Sequence, residues 1–168
     1  MPDLAPFHPW IVFAHVLGVF VFLVFHGVSV AVLFRVRAER DPQALRTLLD
    51  LSTWSFGGMT IGAAVWFFSG LLAGFSGNYW TTGRYWLWVS LAVAVVVIGL
   101  MTPLGRIYLG RVRAAVGIDE KTGKHDPSLP VEPAQIEAAV SSGKPMLVAA
   151  IGFGGIAILA YLMMFKPF

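Results

Sequence analysis

The chain has 168 residues, 57% of them hydrophobic and only 12% charged, with a mean hydropathy of +0.75 and a net charge of +3. Soluble globular domains sit near half apolar and a quarter charged, and disordered chains lean further toward charge, so both classes are excluded. The chain has no Cys, which excludes disulfides, thiolate metal sites, iron–sulfur clusters and Cys nucleophiles.

Crossing the hydrocarbon of a bilayer takes about 20 apolar residues as a helix. Four stretches qualify: about Trp10 to Phe34, Thr53 to Gly77, Tyr85 to Leu104 and Met146 to Phe165. None alternates apolar and polar residues as the strands of a membrane barrel do. The fold class expected is an all-α membrane protein, a four-transmembrane-helix bundle forming a single domain. The start lacks a basic region before its apolar run, so it does not read as a secretory signal and the first span is expected to stay.

The loop after the first span, residues 35–52, opens with four Arg and contains Asp41-Pro42. Asp is a good N-cap and Pro suits the first helical turn. Leu45, Leu48 and Leu49 then repeat at helical spacing, which predicts an amphipathic helix running into the second span. Pro103, with Gly99 and Gly105 near it, is expected to kink or end the third span. The loop after it, residues 106–144, is the largest polar segment, irregular from Asp119 to Pro133, with a short helix predicted from Pro133 to Ser141. His125 reads as a solvated side chain.

Ten Lys and Arg fall in these two loops, and only Arg84 and Lys166 on the other side. Basic loops stay in the cytoplasm, so both termini are expected outside, in a bacterial-type inner (plasma) membrane. The positive charge is thereby a topology signal, and no basic face for nucleic acid is left over. Trp10, Tyr79, Trp80, Tyr85, Trp86 and Trp88 cluster at the outer ends of the spans, as an aromatic belt does. Trp66 lies mid-span, where its N–H needs a partner or a cavity. Small residues at Gly58/Gly62, Gly70/Gly74 and Gly152/Gly154/Gly155 predict close helix approach.

His15 and His26 are the ionisable side chains deep in the bilayer on this reading, and such residues mark functional sites by default. They are eleven residues apart, about 20° from perfect alignment on one helix face and about 16 Å apart along the axis. Gly18 shares that face and leaves room for something broad. Two imidazoles, one per leaflet, are the arrangement by which a membrane cytochrome ligates two b-type haems. No other span contains His, so Met is the source of second ligands. Depth counting places Met59 and Met101 near His26, and Met163 and Met164 near the outer level of His15. A homodimer could instead supply imidazoles across a two-fold axis. The bland alternative is that each His hydrogen-bonds across helices, to Ser29, Thr60, Ser69, Ser90 or Tyr161, and that Met only fills gaps.

The run His15-Val16-Leu17-Gly18, followed by an apolar stretch, Gly27 and an Arg-rich loop, resembles the small integral membrane proteins related to the copper-resistance D (CopD) domain. The layout also resembles the HemJ-type protoporphyrinogen oxidases, which are haem-associated and carry a His in the first span. A Lys in the third span is functional in that second pattern, and this chain has none there. The resemblance implies a haem- or copper-linked membrane protein, with His15 the position carried over.

The reading that results is a b-type haem-binding integral membrane protein acting in electron transfer or as a membrane subunit of a redox complex. His15, His26, Met59, Met101 and Gly18 are the cofactor candidates, and His15, His26 and Met163 the metal candidates. The alternatives are a copper-handling membrane protein, since thioethers favour Cu(I), and a cofactor-free accessory or scaffold subunit. Expected partners are the lipid bilayer and a second copy or a larger redox complex.

Overall fold

The computed structural model describes residues 4–80, 84–119 and 121–167. A single 3-10 turn, Ala5–Phe7, leads into α1 (His8–Ala38). Then come α2 (Pro42–Ser76), α3 (Tyr85–Ala115), α4 (Pro133–Ser141) and α5 (Pro145–Phe165). Among the described residues there is no strand, only an isolated bridge between Ile118 and His125. Four helices are long and apolar enough to cross a membrane.

Local signals account for the boundaries. Asp41 caps α2 by accepting a hydrogen bond of 2.7 Å from the Ala44 N–H, with Pro42 in the first turn. Leu45 and Leu49 are buried in the first turns of α2 itself, so the amphipathic segment and the second span form one helix. Pro133–Ser141 is helical as its pattern predicts. Of the kink or end expected at Pro103, the end does not occur: the helix runs through it to Ala115. Proline removes one hydrogen bond and crowds the carbonyl four residues back. Here that residue is Gly99, with open space beside it. Tyr108, Val112 and Ala115 beyond the proline are buried in the core, and that packing keeps the helix going.

α1 lies along α2, and α3 along α5, while the two pairs touch more sparingly, α1 against α5 and α2 against α3. Glycine sets the first pairing. A Cβ on Gly18 would stand 2.6 Å from the Trp66 backbone nitrogen, and one on Gly62 would stand 2.5 Å from that of Phe22. Those distances are too short for any side chain, so backbone meets backbone at two levels.

The densest core sits at the end of the bundle that carries the basic loops. Val32, Leu33 and Val36 of α1 meet Leu45 and Leu49 of α2, Val112 of α3, Ile136 and Val140 of α4 and Val148 of α5. Polar clamps surround it. Arg46 donates to the Val116 carbonyl at 2.9 Å, Tyr108 donates to the Val140 carbonyl at 3.1 Å, and Arg113 donates to Thr53 at 3.1 Å. Arg37 donates to the Gly143 carbonyl, and Arg40 pairs with Glu137. The long loop is therefore tied down at both ends. It turns at Gly117 and Gly123, whose φ angles of +71° and +68° are left-handed and suit a residue without a Cβ.

Candidate functional site

The two membrane-level histidines occur on one face of α1, but they meet different neighbours. His15 faces α2. Its ring packs over Gly70, where any Cβ would collide with it, and its Nδ1 lies 2.7 Å from the Trp66 carbonyl oxygen. A carbonyl only accepts, so Nδ1 carries the proton and donates. In the neutral imidazole this leaves Nε2 with the free lone pair, the tautomer that a metal-ligating His adopts when its other nitrogen is held by a carbonyl. Sequence reasoning weighed side-chain partners for this His. The partner is a backbone oxygen, which no residue pattern reveals.

His26 faces α5 and α3. It is 3% exposed, and its Nε2 is buried without a hydrogen-bond partner. Leaving such an atom unsatisfied in a dry interior costs about 1–3 kcal/mol. Phe22 stacks on the ring at 5.6 Å with the planes 7° apart, and Phe153 meets it edge-on at 5.4 Å. The bare face of Gly152 closes the site. A Cβ there would stand 2.7 Å from His26 Nε2 and 2.9 Å from the Met101 methyl carbon. The imidazole nitrogen and the Met101 methyl thus both lie against one glycine from different helices; depth counting groups Met59 with them as well.

Other candidates fare differently. The space beside Gly18 is taken by Val65 and the Trp66 backbone, so this glycine serves helix approach and leaves no opening for a broad group. Met59 is half-buried on α2 next to Gly58, whose bare face meets Phe25. Met163 does not turn inward: it is 36% exposed, and the buried residue of that turn is Leu162. His15 finds its neighbours on α2 instead. His125 is exposed, with Nδ1 3.0 Å from the Gly117 carbonyl. Among the described residues no three His, Cys, Asp or Glu side chains gather into a metal-binding group.

Several other intramembrane hydroxyls among the described residues are paired within the fold. Ser29 and Ser55 join α1 to α2 at 2.9 Å, and Ser90 donates to the Trp86 carbonyl at 2.7 Å. At the end opposite the basic loops, His8 lies 2.7 Å from the Ser76 hydroxyl. There Arg84 and Lys166 both sit over the Tyr79 ring, at 5.2 Å and 5.1 Å from its centroid.

Comparison with family models, with curated proteins and with solved structures finds no match. The candidate site therefore rests on its own geometry.

Proposed function

We propose that the protein binds b-type haem within the bilayer and acts in electron transfer or as a membrane subunit of a redox complex. The observation that carries this reading is the buried, unpartnered Nε2 of His26, converging with Met101 on Gly152. Imidazole and thioether are a known axial pair for haem iron, which supplies the one-electron chemistry when bound. His15, oriented through Nδ1 with Nε2 free, is the ligand at a second level. Phe22 and Phe153 supply a dry wall around His26. A macrocycle there would have to part α1 from α5, which touch only sparingly.

Ten basic residues at one end of the bundle support an orientation with those loops in the cytoplasm and both termini outside, in a bacterial-type inner membrane. A second copy of the chain or a larger redox complex is the expected partner.

A second reading is favoured by how compact the His26–Met101 pair is. One nitrogen and one thioether beside a bare glycine also suit Cu(I), which needs no flat slot.

The test is a dithionite-reduced minus oxidised absorbance spectrum of the detergent-purified protein, with pyridine haemochrome quantitation. The expected result is a sharp α-band, with one or two haems per chain, weakened by His26→Ala. A preparation that stays colourless when haem is supplied during expression overturns the haem reading. Stoichiometric copper in that colourless protein, lost in Met101→Leu, establishes the second.

A further inference from the structure

A groove of about 400 Å³ runs along the exposed side of the α1–α2 pair, apart from both histidines. That volume is in the range of small-molecule sites. Phe25 comes from α1, and Trp54, Gly57 and Ile61 come from α2. Phe25 and Trp54 meet edge-to-face at 4.9 Å. At Gly57 nothing lies within 4 Å of the Cβ it lacks, so bare backbone is open to an occupant. The polar side chain of the lining, Thr53, stands at the end nearest the basic loops. From Thr53 to Ile61 is eight residues, about 12 Å along the helix, room for the upper part of an acyl chain.

The Thr53 end is charged. Arg113, half-buried in the last turn of α3, donates through Nη2 to Thr53 at 3.1 Å. Arg46, two turns before Thr53 on α2, donates through Nε to the Val116 carbonyl at 2.9 Å. A guanidinium has five N–H donors, and these bonds use one of each. Asp50 lies between Arg46 and Thr53 on α2, and its field reaches Arg113. Among the described residues it forms an ion pair with neither arginine. Two cations thus accompany one carboxylate where an apolar groove begins.

We propose that this groove holds one anionic glycerophospholipid, its phosphate bound by Arg113 and Arg46 and an acyl chain laid along Gly57. A guanidinium meets phosphate oxygens with paired N–H donors. Charge complementarity selects the occupant. An apolar partner helix leaves those donors unanswered, and a zwitterionic lipid brings an ammonium to an end already rich in cations. Anionic lipids also gather where basic residues border a bilayer.

The test uses the full-length protein in phosphatidylcholine vesicles with a rising share of phosphatidylglycerol brominated near the top of its acyl chains. Bromine quenches tryptophan at contact. Trp54 lines the groove, and the difference between the wild type and Trp54→Phe isolates its signal. The expected result is half-quenching at a share about fivefold below that needed with brominated phosphatidylcholine. Arg113→Gln keeps a donor for Thr53 and should remove the preference. Gly57→Leu puts a side chain into the groove with every charge in place, should remove it too, and decides the matter if Arg113→Gln does not fold. Arg111→Gln removes the same charge about 200° round the helix and should leave the preference intact. Equal quenching by the two lipids in the wild type overturns the site. So does an unchanged preference in Gly57→Leu. A loss in Arg111→Gln as large as in Arg113→Gln also overturns it, because the preference is then diffuse surface charge. A Trp54 that neither lipid quenches, in a particle of twice the protein mass, overturns it in favour of a second copy on the groove.

Discussion

The basic-loop end of this molecule and its membrane interior are held together by different forces. At the basic end Val36, Leu45, Val112, Val116 and Val140 have no exposed surface, and five helices contribute to one core. That end borders water, so burying apolar surface there is favourable in the ordinary way. In the span regions large apolar residues such as Phe13, Phe20, Ile61, Phe68 and Val95 are more than 60% exposed within the isolated chain. Lipid is as apolar as leucine, so those residues gain nothing by turning inward. Cohesion comes from close backbone approach and hydrogen bonds instead. His15 and His26 lie in that interior, the first held by the Trp66 carbonyl and the second with its Nε2 unpartnered.

Mutations chosen at the two ends should expose the contrast. Leu45→Ala removes a fully buried side chain from the core that borders water, and we expect a loss of about 2–5 kcal/mol, read by thermal unfolding in detergent. Gly62→Ala puts a Cβ against the Phe22 backbone, and parting α1 from α2 should cost about 1–3 kcal/mol. Gly27→Ala is its control. Nothing lies within 4 Å of that Cβ, so the change should be neutral or stabilising by up to about 1 kcal/mol. Equal losses at Gly62 and Gly27 would remove the argument that backbone approach holds the α1–α2 pair.

A smaller effect is expected at Tyr108, whose hydroxyl donates to the buried Val140 carbonyl and so ties α3 to α4. Tyr108→Phe should cost about 1 kcal/mol and loosen α4 in hydrogen exchange.

The smallest effect concerns acid. Asp126 accepts from the Ser128 hydroxyl and N–H, and these bonds hold its carboxyl below its ordinary 3.8. Asp119 accepts from the Thr122 N–H and is lowered in the same direction. A carboxylate lowered in the folded state adds stability that is complete above about pH 5 and is lost as pH falls through the lowered value. Opening of residues 117–131, followed by proteolysis at decreasing pH, should begin below that point. Asp126→Asn should flatten the dependence. An unchanged profile would show that this loop is held by its clamps alone.

Much of this was legible from residue order. Hydropathy and length mark the four spans, because each must satisfy its backbone internally in lipid. Asp41-Pro42 marks the start of α2, and Pro133 to Ser141 marks α4. Depth counting sets His26 at one level with Met59 and Met101, since rise per residue is constant, and cannot choose between the two. Counting gives Met163 a depth but cannot say which way its side chain turns, and that side chain is 36% exposed. Nor can it weigh Pro103 against the packing of Tyr108 and Val112 beyond it.

Composition and spacing by themselves determine that the chain is helical, that four of its helices are long and apolar enough to cross a membrane, and that the first of them carries two imidazoles eleven residues apart. Those properties follow from the cost of exposed backbone in hydrocarbon and from the fixed geometry of the helix. Tertiary structure alone decided that Gly18 is filled by the Trp66 backbone, that the same residue's carbonyl holds His15, and that His26 Nε2 is left without a partner beside Gly152. Each depends on how far one helix stands from another and how it is turned. Interhelical distance and rotation are set by all the contacts of both helices together, and no single segment encodes them.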